Sequence, residues 1–142
     1  MEATMQVQPY IFFDGRCEEA LEFYRKALNA EVVMMMRIKE NPEPQSGHDT
    51  SENGEKILHA AFKIGQTDLM ASDGYAKGKP EFKGITLSLS PANEADARKT
   101  FNALSEGGEV QMPLGKTFYS PCFGMLTDRF GVSWMVVVPG AM

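Results

Sequence analysis

Long apolar runs are missing from this chain of 142 residues, and no stretch approaches the roughly eighteen consecutive apolar residues that a membrane-spanning helix needs. An excess of positive charge is missing too. Fourteen Lys and Arg against nineteen Asp and Glu leave a net charge of -5, so the clustered basic surface that a phosphate backbone or an anionic membrane requires is not expected. Cysteine is scarce: Cys17 and Cys122 stand far apart with no CxxC spacing, which argues against a disulfide framework or a zinc knuckle and for free thiols in a reducing compartment. The opening residues, MEATMQVQPYIFFDG, carry an acid at Glu2 and lack the basic stretch and apolar run of a signal peptide. The expected address is therefore the cytoplasm. What the chain does have is an ordinary globular balance, 43% apolar and 23% charged, and enough length for one domain with a compact core and no staples.

The run VQPYIFFDG is short, aromatic and closed by Asp14-Gly15, the signature of a buried strand ending in a turn. In RCEEALEFYRKALNA the apolar residues Ala20, Leu21, Tyr24, Ala27 and Leu28 recur at helical spacing, with Glu18 and Glu19 early and Arg25 and Lys26 late, as the helix dipole prefers. A strand EVVMMMRIK follows, then a polar, Pro- and Gly-rich stretch over residues 40–56 that reads as a mobile surface loop. ILHAAFKIG and QTDLMASDG form two short runs meeting at Gly65-Gln66, a strand pair with a tight turn. YAKGKPEFKG links this half to a second, in which the order repeats: strand GITLSLSP, helix NEADARKTFNALSEGG capped by Asn93 and ended by Gly107-Gly108, then strands EVQMPLGKTFYS, CFGMLTDRFG and VSWMVVVP.

Sliding the chain about 77 positions along itself brings the halves into coincidence. Ala20, Tyr24 and Ala27 fall on Ala97, Phe101 and Leu104, and Tyr10 and Phe12 on Leu87 and Leu89. With the long loop skipped, Gly65 and Leu69 fall on Gly131 and Met135. The expectation is an α+β protein of two βαβββ modules, about 5–75 and 82–140, within a single domain.

The segments VQPYIFFDGRCEEALEFYRKALNAEV, ILHAAFKIGQTDLMASD and TDRFGVSWMVV resemble the PhnB-like proteins over nearly the whole chain, through the patterns xFFDGxCxEAxxFYxxxL and DxFGVxW. PhnB-like proteins look like members of the vicinal-oxygen-chelate superfamily, which holds glyoxalases, bleomycin-resistance proteins and extradiol dioxygenases. The resemblance implies that each module curls a mixed sheet into a cup with its helix on the outer face, and that a second copy completes the cup, making a homodimer. Some PhnB-like proteins carry the label demethylubiquinone methyltransferase, but this sequence has no glycine-rich strand-to-helix turn for a methyl donor.

A fold does not set a chemistry, so the site residues must. Metal-dependent members of the superfamily place His, Glu or Gln on the first strand and a later strand of each module, since a divalent cation with open positions needs oxygen and nitrogen donors. Their places fall near Pro9, Leu69, Ile85 and Met135; a one-residue shift gives Gln8 or Tyr10, Met70, Thr86 and Trp134. Neither set supplies convincing ligands, so no cofactor is expected, with a divalent metal left open. His59, within the otherwise apolar ILHAAF, is the candidate catalytic residue: imidazole titrates near neutrality and can act as a general base or hold a ligand. The bland alternative is a satisfied core or interface histidine. Its partner decides between them, and Asp68 and Asp73 both lie on the next strand, in a register the sequence leaves open.

Phe118, Tyr119, Phe123 and Trp134, with Met34, Met36 and Met70, suit the wall of an apolar small-molecule pocket, although half of any strand faces the other way. His48, Asp49, Glu52 and Glu55 share the long loop without the spacing of a known cation loop, and that loop has the length of a lid. Cys122 and Cys17 read as structural. Three functions remain: a binding protein for an unidentified small molecule held in the sheet cup, a metal-dependent glyoxalase- or dioxygenase-like enzyme, and a non-catalytic dimeric scaffold.

Overall fold

A computed structural model describes residues 5–41, 54–74 and 81–139. The expected loop over 40–56 falls mostly outside the described residues, His48, Asp49 and Glu52 included. The chain divides into two compact units, Met1–Pro80 and Glu81–Met142. Among the described residues each is a four-stranded mixed sheet with one α-helix, so the architecture is α+β. Among the described residues no helix is long and apolar enough to cross a membrane.

The first unit runs β1 (Tyr10–Phe12), α1 (Cys17–Leu28), β2 (Glu31–Arg37), a short 3-10 turn (Ile38–Glu40), β3 (Ile57–Ile64) and β4 (Thr67–Ser72). Its strand order is β1-β4-β3-β2, with β1 parallel to β4 and the other pairs antiparallel. The stripe Cys17, Ala20, Leu21 and Tyr24 buries α1 against the sheet, where Tyr24 stacks on Phe62 at 6.3 Å between ring centroids. The helix ends where Asn29 turns left-handed, φ 58°, a conformation Asn tolerates, and its N–H donates to the Tyr24 carbonyl. β3 and β4 join through Gly65, φ 60°, the turn expected from Gly65-Gln66.

The second unit repeats that order with β5 (Leu87–Leu89), α2 (Glu94–Ser105), β6 (Glu109–Gly115), β7 (Phe123–Thr127) and β8 (Ser133–Val137), arranged β5-β8-β7-β6. Asn93 caps α2 as anticipated, its Oδ1 accepting the Asp96 N–H at 2.8 Å. Ala97, Phe101 and Leu104 are the buried face of α2. β6 stops at Gly115, short of the expected Ser120, because Lys116–Pro121 folds into a turn in which Thr117 Oγ1 accepts the N–H groups of Tyr119 and Ser120.

The internal repeat holds for the helices and for the left-handed glycines Gly65 and Gly131, but it is out of phase for strand facing. Tyr10 pairs with Met70 on the side of the first sheet away from α1, whereas Leu87 pairs with the buried Trp134. A one-residue offset in a strand exchanges its faces, so a match of apolar identities alone cannot see it.

Candidate functional site

Each sheet has a helix-covered face and an open one, and burial separates them. In the first unit Ala60, Phe62, Leu69 and Ala71 are buried beneath α1, and Phe62 pairs with Leu69 and Ala60 with Ala71. Their neighbours His59, Ala61, Met70 and Ser72 therefore point to the open face, as do Tyr10 and Phe12 on either side of the buried Ile11. On β2, Met34 lies opposite Ala61 and Met36 opposite His59. One line of neighbours thus crosses the sheet, Met34–Ala61–Met70–Tyr10, with the Met36–His59 pair beside it.

At the centre of this face the Tyr10 hydroxyl lies 2.9 Å from His59 Nδ1, and the two rings are 5.5 Å apart. Phe12 stacks on Tyr10 from the other side at 4.9 Å. Burial raises the Tyr10 pKa, partly countered by Ser72, so the phenol stays protonated and available to donate. Neither carboxylate considered from the sequence is the partner of His59. Asp68 forms an ion pair with Lys63 across the β3–β4 ladder at 3.5 Å. Asp73 is buried, and its two oxygens accept the backbone N–H groups of Gly15, Cys17 and Ile57 at 2.7–2.8 Å. The partner of His59 that sequence reasoning missed is Tyr10, forty-nine residues away and considered there only as a metal-ligand place; only the parallel β1–β4 pairing brings the two together.

The second sheet sorts in the same way. A Cβ on Gly124 would touch Phe101 of α2, so Gly124 and its partner Val136 face the helix, together with Leu126 and Trp134. Met125, Met135 and Phe123 then face the open side, and Met112 joins them as the partner of Met125. The predicted pocket aromatics consequently separate. Trp134 is 2% exposed beneath α2, its Nε1–H donating to Asp128 Oδ2 at 2.8 Å. Phe123 points to the open side but is buried, and Tyr119 packs edge-on against it at 5.6 Å. Phe118 is 96% exposed in the turn after β6, in edge contact with Tyr119. Met36 and Met70 share their face with His59.

The places mapped for a divalent metal also resolve. Pro9 precedes β1 and its carbonyl accepts the Met70 N–H; Leu69 and Trp134 face the helices; Ile85 and Thr86 precede β5. The open-face residues nearest those places are Tyr10 and Met70 in the first unit and Ser88 and Met135 in the second. None of these four is an imidazole or a carboxylate, the donors by which a protein usually holds a divalent cation. Among the described residues no three His, Cys, Asp or Glu side chains come together as a ligand set.

A cleft beside the start of α1, lined by Gly15, Glu18, Glu19, Glu55, Lys56 and Asp73, has its charges matched internally. Arg37 binds Glu18 in a forked pair and holds that carboxyl below the usual range. Lys39 pairs with Glu55, and Lys56 donates to the Gly15 carbonyl.

Comparison with known proteins is consistent across the chain. The model of the family described as 3-demethylubiquinone-9 3-methyltransferase matches residues 5–137. Protein YjdN of Escherichia coli is 33% identical over 142 residues, 94% of this chain and 95% of its own. Protein PA1353 from Pseudomonas aeruginosa is 42% identical with a TM-score of 0.82, the alignment covering 96% of this chain and 98% of that one. The PhnB protein from Bacillus cereus is 28% identical with a TM-score of 0.78, covering 94% and 99%. The fold alone is shared with a glyoxylase/bleomycin resistance protein/dioxygenase domain from Frankia, at 15% identity, a TM-score of 0.61 and 99% coverage of both chains.

Proposed function

Because the chain belongs to the family described as 3-demethylubiquinone-9 3-methyltransferase, the PhnB-like branch of the vicinal-oxygen-chelate superfamily, we propose that it binds a small, mostly apolar organic molecule on the open face of the first sheet, with the Tyr10–His59 pair as its polar anchor. The observation that carries this reading is the 2.9 Å contact between Tyr10 Oη and His59 Nδ1 amid Phe12, Met36 and Met70. A polar pair set in a polarisable apolar surface is the usual grammar of a ligand site. With the phenol donating to Nδ1, the ring proton of a neutral His59 sits on Nε2, ready for a ligand acceptor such as a carbonyl or carboxylate.

The methyl transfer in the family description draws no support from the turn entering α1. The free N–H groups that would cradle a charged donor there are already taken by Asp73. That no donor set for a divalent cation assembles among the described residues also favours binding over metal-dependent catalysis. The proposed assembly is a homodimer, since β2 and β6 are sheet edges carrying the exposed residues Val33, Met34 and Val110; light scattering that finds a monomer at micromolar concentration refutes that part.

The test of the site is a fragment screen by protein-observed NMR. Compounds carrying an aromatic ring and an acceptor are expected to shift the Met36, Met70 and His59 side-chain signals, and His59→Leu is expected to weaken them about tenfold. Hits whose shifts lie elsewhere, or that are indifferent to His59→Leu, overturn the reading.

A further inference from the structure

The mismatch with hard metal ions has a counterpart on the second sheet. There the register places Met112, set between two β-bulges of the β6–β7 ladder, opposite Met125, and Met125 opposite Met135, on three adjacent strands. Direct cross-strand neighbours have Cα atoms about 4.5–5.5 Å apart. The side chain of methionine, with three rotatable bonds, reaches nearly as far, so the two outer sulfurs can both lean over the central one. All three are accessible: Met112 is 45% exposed, and Met125 and Met135 are half-buried.

The corresponding line on the first sheet is Met34–Ala61–Met70. Alanine at its centre removes the middle sulfur and leaves two thioethers on strands that are not neighbours. A face that needed only to be greasy would be served as well by the β-branched residues that strands favour. Three thioethers on neighbouring strands add something those residues lack, soft sulfur lone pairs within one short stretch of the sheet.

We infer that Met112, Met125 and Met135 form a three-thioether site for a soft monovalent cation, Cu(I) or its analogue Ag(I). Thioether sulfur prefers such ions to the divalent metals that imidazole and carboxylate hold. The row carries no carboxylate, and Ser88 at its end offers only a hydroxyl. Binding is coordination alone, with no change in oxidation state. The inference stands apart from the small-molecule reading of the first sheet, and either can fail without the other.

The experiment is titration of the full chain, labelled with 13C at the methionine methyls, with silver nitrate in chloride-free buffer. One equivalent of Ag(I) is expected to shift the methyls of Met112, Met125 and Met135 together. Zn(II) at the same concentration should leave them in place. Met125→Leu, which conserves volume, should keep the melting profile and weaken Ag(I) binding about tenfold or more, while Met35→Leu, on the helix side of the first sheet, should leave binding unchanged. Silver taken up by Cys17 or Cys122 with the three methyls unmoved overturns the proposal. So does a response to Zn(II), or Ag(I) binding that survives Met125→Leu.

Discussion

Asp73 Oδ1 accepts the Cys17 backbone N–H at 2.7 Å and the Gly15 N–H at 2.8 Å, while its second oxygen takes the Ile57 N–H at 2.8 Å. One buried carboxylate thus ties the end of β4 to the turn after β1, the start of α1 and the first residue of β3. A helix N-terminus is the favoured place for a negative charge, both for its free N–H groups and for its dipole.

Asp73→Ala leaves three backbone donors near the core without acceptors, at about 1 kcal/mol or more each, so a loss on the order of 3 kcal/mol is expected in denaturant unfolding. Asp68→Ala breaks only the exposed pair with Lys63 and should cost about 0.5 kcal/mol or less. Equal effects would mean that Asp73 is not the pin of the first unit.

Gly124 is the corresponding steric constraint in the second unit. A Cβ there would come 2.8 Å from Phe101 Cε2, 2.9 Å from Leu114 Cδ2 and 3.1 Å from the Met112 carbonyl oxygen. Gly124→Ala must push α2 and β6 outward and is expected to destabilise by about 1–3 kcal/mol. A melting temperature equal to that of wild type would show that α2 does not press on β7 at this point.

Alkaline conditions should expose the two groups that burial holds protonated. Burial, followed by the nearby Asp73 charge, pushes the Cys17 thiol well above its ordinary value, and burial raises Tyr10. For a group whose folded pKa lies above its unfolded pKa, the stabilisation is complete below the unfolded value and is lost as pH climbs toward the folded one. Stability is therefore expected to fall progressively above about pH 8.5 for Cys17 and about pH 10 for Tyr10, with Cys17→Ala and Tyr10→Phe each flattening their part of the decline. A thiol reagent at pH 8 should label neither buried cysteine until denaturant is added. Prompt labelling of the native protein contradicts this.

The elements of this protein follow from its sequence. The spacing of Ala20, Leu21 and Tyr24 and of Ala97, Phe101 and Leu104 dictates the two helices. Gly65, Asn93 and Gly107 mark boundaries through local backbone and capping chemistry, and the family patterns name the fold. These are local signals, set by residues within a few turns or strands of each other. What the tertiary structure decided is which way the strands face and who meets whom. Trp134 reads as a pocket aromatic until Gly124 shows that its side of β8 lies under α2. Tyr10 reads as a buried strand residue until the parallel pairing with β4 lays it beside His59. Met112, Met125 and Met135 lie in separate strands and form a row only once the register of β6, β7 and β8 is set. Facing has a period of two, so a shift of one residue reverses it, and that shift is fixed by packing between segments distant in the chain, which no local run of residues records.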